Sequence, residues 1–289
     1  MRHAFYSLIT PHLHPDQAIE EAVRLGFQGI EWRIAAPSEP IASPRTYWEG
    51  NRCSLHPADL AKELPPLANR VRAAGLVPLS ICPYATTAEP EVIEGFLQTA
   101  ATSGVDLVRV CVPRYDPQTS YTAQFDALRR QVAVIETLAR RAGVRACLLQ
   151  HSGTLLPSAS ACARALEGVD PQHLGLFLDV GHFVREGYED FGIVIDLVAD
   201  YLAEIHLRNG WVRPTGTEPG LACATPDAEW GRLDAGQVPL GLLAEALARR
   251  AWDGWLVLED FSDRPQALRL QEGLETMRRL SHLATPTNA

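Results

Sequence analysis

Short runs dense in Val, Ile, Leu and Phe alternate along this chain with longer stretches in which Ala, Leu, Arg and Glu recur at helical spacing. The apolar runs predict strands at Ala4–Ile9, Phe27–Arg33, Val77–Cys82, Leu107–Pro113, Val144–His151, His173–Asp179, Tyr201–Leu207 and Trp255–Asp260. Each is followed by a predicted helix: Pro15–Leu25, Pro57–Ala74, Pro90–Ser103, Thr119–Ala142, Ser158–Glu167, Asp190–Asp200, Pro239–Arg250 and Pro265–Leu283. Several of these helices open with proline, whose fixed φ suits a first turn. Gly26, Gly75, Gly104, Gly143, Gly168 and Gly254 stand where a helix must close before the next strand.

Eight strand–helix units, at roughly 36 residues each, are what closes a parallel sheet through right-handed crossovers. The expected fold is α/β, a single (β/α)8 TIM barrel over residues 1–289, with 284–289 as a small, polar, flexible tail. A doubly wound open sheet competes less well, because no strand is followed by a G-x-G-x-x-G or another phosphate-binding glycine loop. Two connections are long, Ile34–His56 after the second strand and Arg208–Val238 after the seventh. Both leave strand C-termini, so they are expected to wall or cover the face where barrel active sites are built.

Composition then narrows the function. With 26 Lys+Arg against 35 Asp+Glu, the formal net charge is −9, which leaves no positive footprint for nucleic acid. No apolar run approaches the roughly 20 residues of a membrane span, and the expected location is cytoplasmic. Cys53, Cys82, Cys111, Cys147, Cys162 and Cys223 form no C-x-x-C pair and read as reduced, mostly buried thiols. Lys62 is the one lysine and lies in a polar helical stretch, which argues against Schiff-base chemistry.

The informative residues are charged and imidazole groups at the ends of strands that should be apolar. Asp179 ends Leu176-Phe177-Leu178-Asp179, His206 ends Ala203-Glu204-Ile205-His206, and Glu259 follows Leu256-Val257-Leu258. Mixed carboxylate and imidazole donors converging at one barrel end suit a divalent ion such as Mn, Co, Zn, Fe or Mg. Capping and ordinary ion pairing are the plainer alternative for any one of them. His182, beyond a glycine turn from Asp179, is a candidate substrate donor or further ligand, and Glu31 a candidate acid, base or hydroxyl acceptor. Arg33, Arg114 and Arg208 sit at or just past strand ends, where a guanidinium holds a carboxylate or phosphate in bidentate fashion. Tyr6, Trp32, Tyr84 and Trp211 could wall a sugar face, or equally serve rim packing or contacts in a homo-oligomer.

On these residues the chain resembles the xylose isomerase-like TIM-barrel superfamily, the sugar phosphate isomerase/epimerase group. Gly26-Phe27-Gln28-Gly29-Ile30-Glu31 is similar to its glycine-aromatic-x-glycine-Ile-Glu entry to the second strand. Asp179-Val180-Gly181-His182 is similar to its D-x-G-H element, and Ile205-His206-Leu207-Arg208 and Leu258-Glu259 to its last two strand ends. The resemblance implies a divalent metal held by carboxylates and histidine from strands five to eight. This chain departs at the fifth strand, where the family glutamate falls on Leu149. His151, two residues on and on the same face by alternation, is the candidate to complete the site, with water as the alternative. His151-Ser152-Gly153-Thr154 also resembles the H-x-G-T stretch of inosose dehydratases, and the fifth-strand region resembles dehydroshikimate dehydratases.

The expected partner is therefore a small carbohydrate-type molecule, a sugar, sugar acid or sugar phosphate. The expected enzyme is an isomerase or epimerase working through an ene-diolate, with Glu259 as base and His182 polarising a substrate oxygen. A metal-dependent dehydratase of a polyhydroxylated keto substrate is the second reading. A non-catalytic sugar-binding barrel, marked by Leu149, is the third.

Overall fold

The computed structural model describes residues 1–36, 45–187, 189–217 and 224–285. Its strands and helices follow in order as β1 (Arg2–Tyr6), α1 (Pro15–Leu25), β2 (Gly29–Arg33), α2 (Leu60–Ala73), β3 (Val77–Cys82), α3 (Pro90–Ser103), β4 (Leu107–Val110), α4 (Tyr121–Ala142) and β5 (Arg145–Leu149). The chain continues through α5 (Ala159–Leu166), β6 (Leu174–Asp179), α6 (Phe183–Glu186), α7 (Phe191–Val198), β7 (Leu202–Leu207), β8 (Asn209–Thr217), β9 (Ala224–Gly231), α8 (Leu240–Arg249), β10 (Trp255–Leu258) and α9 (Gln266–Leu283). β1 to β7 and β10 form the closed parallel barrel expected, with β10 returning to pair with β1.

Alternation along each strand divides the apolar residues between two layers. Phe5, Ile30, Trp32, Leu178, Ile205 and Leu256 face the helices, whereas Ala4, Tyr6, Cys147, Leu149, Phe177 and Val257 fill the barrel interior. Helix ends follow local chemistry: Gly104 and Gly143, at φ +64° and +69°, adopt the left-handed cap after α3 and α4 that a side chain disfavours.

Several strands end earlier than their apolar runs. β1 passes into a 3₁₀ turn at Ser7–Ile9, and β5 and β10 stop at Leu149 and Leu258. At the C-terminal mouth the backbone leaves the ladder, so His151 and Glu259 sit just past the sheet rather than in it. The long connection after β7 carries two further strands, β8 and β9, which pair as an antiparallel ribbon. Of the connection after β2, residues 37–44 lie outside the described residues, as do Cys223 and 286–289 of the expected tail. The five other cysteines are free thiols, four of them buried. No described helix is long and apolar enough to cross a membrane.

One structural histidine ties stability to pH. His3 on β1 is buried, and its Nε2 lies 2.8 Å from Ser281 Oγ on α9. Burial, aided by the Arg278 charge, holds its pKa down to about 4 from an ordinary 6.5. The unfolded chain therefore binds this proton first. The contribution is fully present above pH 6.5 and is lost as pH falls toward 4. We expect about 1–2 kcal/mol of acid destabilisation from this group, after allowing for solvent screening. Denaturant midpoints at pH 7.5 and 4.5 check it: His3→Gln should flatten the difference, and an unchanged difference would assign it elsewhere.

Candidate active site at the barrel mouth

Pairing register brings the predicted ligands together. Asp179 on β6 and Val257 on β10 both stand opposite His206 on β7, so Glu259 projects one inward step above Val257. Ligand atoms of Asp179, His206 and Glu259 lie within 4.8 Å of one another, and all three residues are buried. Above them opens a cavity of about 590 Å³, whose wall includes Tyr6, Leu149, His151, His182, Arg208 and Glu259.

His206 is held from below. Its Nε2 lies 3.1 Å from Glu31 Oε2 and 3.3 Å from Glu204 Oε2, and Ser80 Oγ donates to Glu31 at 3.2 Å. Its Nδ1 is 3.1 Å from Glu259 Oε1 but makes no hydrogen bond, an orphaned buried nitrogen facing the other two ligands. Burial opposes an imidazolium here, yet the adjacent Glu31 and Glu259 charges outweigh it and hold the His206 pKa well above its ordinary value. Burial likewise opposes a charged Glu31, and His206 reverses it, drawing Glu31 down to about 2. Glu204, buried beside charged Glu31, is pushed well above the carboxylate range.

Asp179 is held by Arg208. Nη2 of the guanidinium is 2.6 Å from Oδ2 and Nε donates to Oδ1 at 3.1 Å, while Gly181 N donates to Oδ1 at 2.9 Å. Burial still raises the Asp179 pKa to about 6 against the pull of Arg208. Gly181 has no side chain because a Cβ there would lie 2.1 Å from Arg208 Cγ. The Arg208 guanidinium also stacks on Trp230 of β9, 4.4 Å from the ring centre, so the ribbon helps to fix it.

The residues present fit a divalent ion bound by three protein ligands with an open position. The orphaned His206 Nδ1 points at Asp179 and Glu259, and the Glu31 carboxylate at Nε2 is the outer partner that orients a ligating histidine. Leu149 contributes an apolar patch on the β5 side of the cavity.

The other sequence candidates separate. Glu31 lies beneath the cluster, behind His206, and does not line the cavity. His182 accepts from Arg208 Nη2 at 2.6 Å and contacts Ser152 Oγ at 2.9 Å, which places it among the groups that position Arg208. Burial holds it well below its ordinary pKa, hence neutral. His151 packs against the His182 ring, 3.8 Å between centroids with the planes tilted by 46°, outside the ligand cluster. Its Nδ1 lies 2.7 Å from Ser152 O, and burial lowers its pKa.

Arg33 donates to Tyr84 Oη, Ser54 Oγ and the Trp48 carbonyl, bracing the rim from outside the cavity wall. Arg114 is exposed at the mouth, lines the cavity, and has no hydrogen-bond or ion-pair partner among the described residues. Trp32 faces the helices, because alternation that turns Glu31 inward turns its neighbour outward. Trp211 stays on the ribbon, against Arg213 and the face of Gly231, away from the cavity lining. Among the buried charges that sequence reading passed over, Glu204 and Arg109 lie within barrel strands. Both interrupt apolar runs on an inward face, the same signal that marked Asp179 and His206.

A family model described as xylose isomerase-like TIM barrel matches residues 19–280. The chain is 24% identical over 180 residues to inosose dehydratases of Mesomycoplasma hyopneumoniae strains, a match that spans 57% of this chain and 57% of each relative. Among solved structures it is similar to 3-keto-D-glucoside 4-epimerase from E. coli, with 14% identity, TM-score 0.70, and 96% and 99% of the two chains covered. It is also similar to the IOLI protein with a bound zinc atom, with 16% identity, TM-score 0.70 and 98% of both chains covered. At these identities the structural likeness is one of fold.

Proposed function

Because the chain belongs to the xylose isomerase-like TIM-barrel family, we propose that it is an enzyme that removes the proton α to the carbonyl of a small polyhydroxylated keto compound. The observation that carries this reading is the buried Asp179, His206 and Glu259 set at the floor of an open cavity. Those three residues would hold a divalent ion, which when bound would supply Lewis-acid stabilisation of charge on a substrate carbonyl. The zinc in the IOLI relative supports such an ion.

Proton transfer falls to His151. Its Nδ1–H donates to Ser152 O, which leaves Nε2 as the acceptor, and Nε2 has no partner among the described residues. Its lowered pKa keeps the ring neutral near pH 7, ready to take a proton. Glu259 is less suited, since the His206 and Arg208 charges outweigh burial and lower its pKa. His182 and Ser152 fix Arg208 and thereby Asp179.

Leu149 favours one proton-transfer group over a symmetric carboxylate pair. A single base serves isomerisation, or elimination of water from a hydroxy-ketone, better than two-sided epimerisation. The inosose dehydratase relatives support the dehydratase form of this reading.

Deuterium uptake tests it. Ketoses and inososes incubated in heavy water with the chain and Mn, Co, Zn or Fe should exchange the α-proton, followed by NMR, with product identity separating isomerisation from dehydration. His151→Ala should slow exchange by roughly 10²- to 10⁴-fold while ion content is kept. Sugar binding with neither exchange nor ion uptake would overturn the enzyme reading and leave a binding barrel.

A further inference from the structure

Arg109 on β4 projects into the barrel interior with 4% of its surface exposed, yet no carboxylate lies within ion-pair distance of it among the described residues. Its Nε donates to Pro83 O at 3.3 Å, and Nη2 to Cys82 O and Pro83 O at 3.1 and 3.2 Å. Nη1 makes no hydrogen bond among the described residues, and Arg109 lines the cavity. The other buried arginines differ. Arg208 has Asp179, Arg269 spends three nitrogens on the Arg264, Asp260 and Ile9 carbonyls, and Arg33 spends three on Tyr84, Ser54 and Trp48.

A hydroxyl with no hydrogen-bond partner stands beside it. Tyr6 is 1% exposed and lines the same cavity, and its hydroxyl has no hydrogen-bond partner. The Arg109 guanidinium lies 5.4 Å from the Tyr6 ring centre and 4.8 Å from that of Tyr84. A buried cation without a counter-charge and a buried hydroxyl without a hydrogen-bond partner each carry a penalty that a ligand anion removes. β4 lies across the barrel from β10, so Arg109 faces the Asp179, His206 and Glu259 cluster over the cavity, while Tyr6, on β1 next to β10, has its ring centre 6.4 Å from that of His206.

We propose that Arg109 and Tyr6 form a carboxylate-binding subsite, so that the substrate is a polyhydroxylated keto acid held by its carboxylate at one end while its carbonyl meets the cluster at the other. The proposal rests on the catalytic reading above for the second half and stands on Arg109 and Tyr6 alone for the first. A carboxylate fits better than a phosphate: one free guanidinium nitrogen and one hydroxyl match its two oxygens. Arg114, unpaired at the rim, draws anions toward the mouth.

Calorimetric titration of the metal-loaded chain tests this with D-tagaturonate and D-fructuronate against D-tagatose and D-fructose, and with D-tagatose 6-phosphate. Each acid should bind roughly 10- to 100-fold more tightly than its neutral ketose. Arg109→Met should erase that preference by weakening the acids and leaving the ketoses unchanged. Should Arg109→Met not fold, Tyr6→Phe, which removes one hydroxyl, should weaken the acids alone by roughly 3- to 10-fold. Equal binding of acid and ketose, no binding of either acid, preference for the phosphate, or unchanged acid affinity in the folded variants would overturn the proposal. Acid preference without deuterium exchange would overturn the catalytic reading and leave the subsite. Exchange without acid preference would do the reverse.

Discussion

His206→Ala is expected to abolish ion binding and to cost about 3–5 kcal/mol of stability. The two losses have separate origins. Its Nδ1 faces Asp179 and Glu259, so the alanine variant keeps two carboxylates and loses the nitrogen donor between them. Its Nε2 meets Glu31 and Glu204 in the barrel interior, where all three side chains are fully buried. Removing the imidazole strands charged Glu31 without its counter-charge, and burial of an unpaired carboxylate is among the costliest single changes. Elemental mass spectrometry of protein purified without chelators should find about one divalent ion per chain in the parent and a small fraction of that in the variant. Retention of the ion in His206→Ala, or none taken up by the parent on titration, would remove the metal site. Glu31→Gln separates the effects: the ligand atoms remain, and ion affinity should fall by roughly 10- to 100-fold through loss of orientation alone.

Arg208→Met carries the second large effect, and its size depends on the ion. Both Asp179 oxygens contact the Arg208 guanidinium, and Asp179 is only 2% exposed. Without the ion the variant should lose about 3 kcal/mol, because a buried carboxylate is left with the Gly181 N–H as its main donor. Millimolar Mn or Zn should restore most of that stability, since an ion bound by Asp179 takes over the counter-charge role. Thermal melts with and without metal measure it. Equal destabilisation in both conditions would show that the arginine matters for packing against Trp230 and Phe261 rather than for the Asp179 charge. Methionine keeps much of that packing volume, which is why it is preferred to alanine here.

How far the chain could be read in advance varies by residue. Asp179, His206 and Glu259 were legible because charge at the end of an apolar strand has few structural uses, and three in successive units share one barrel end. Glu204 was legible by the same rule, two residues before His206, but a second carboxylate under the first histidine makes sense only once Glu31 is seen to arrive from β2. Trp32 read as a wall of the site, although the phase that sends Glu31 inward sends Trp32 to the helices. Arg208 read as a substrate anchor, and the fold instead gives its guanidinium to Asp179 and His182. The β8–β9 ribbon was not legible, since prolines and glycines at Pro214, Gly216 and Pro226 interrupt the alternation that marks a strand pair.

By itself, then, the sequence determined the eight-unit rhythm, the closed parallel barrel, the barrel end at which the charged residues gather and three ligand candidates. These follow from period, order and the cost of charge in an apolar strand, all of which are local. The tertiary structure alone decided which charges are already spoken for: Arg208 on Asp179, Glu31 and Glu204 on His206, and Arg109 on no carboxylate among the described residues. The pairings of Arg208 with Asp179 and of Glu31 with His206 join residues 29 and 175 positions apart, and barrel closure sets their distances, so no local pattern encodes them.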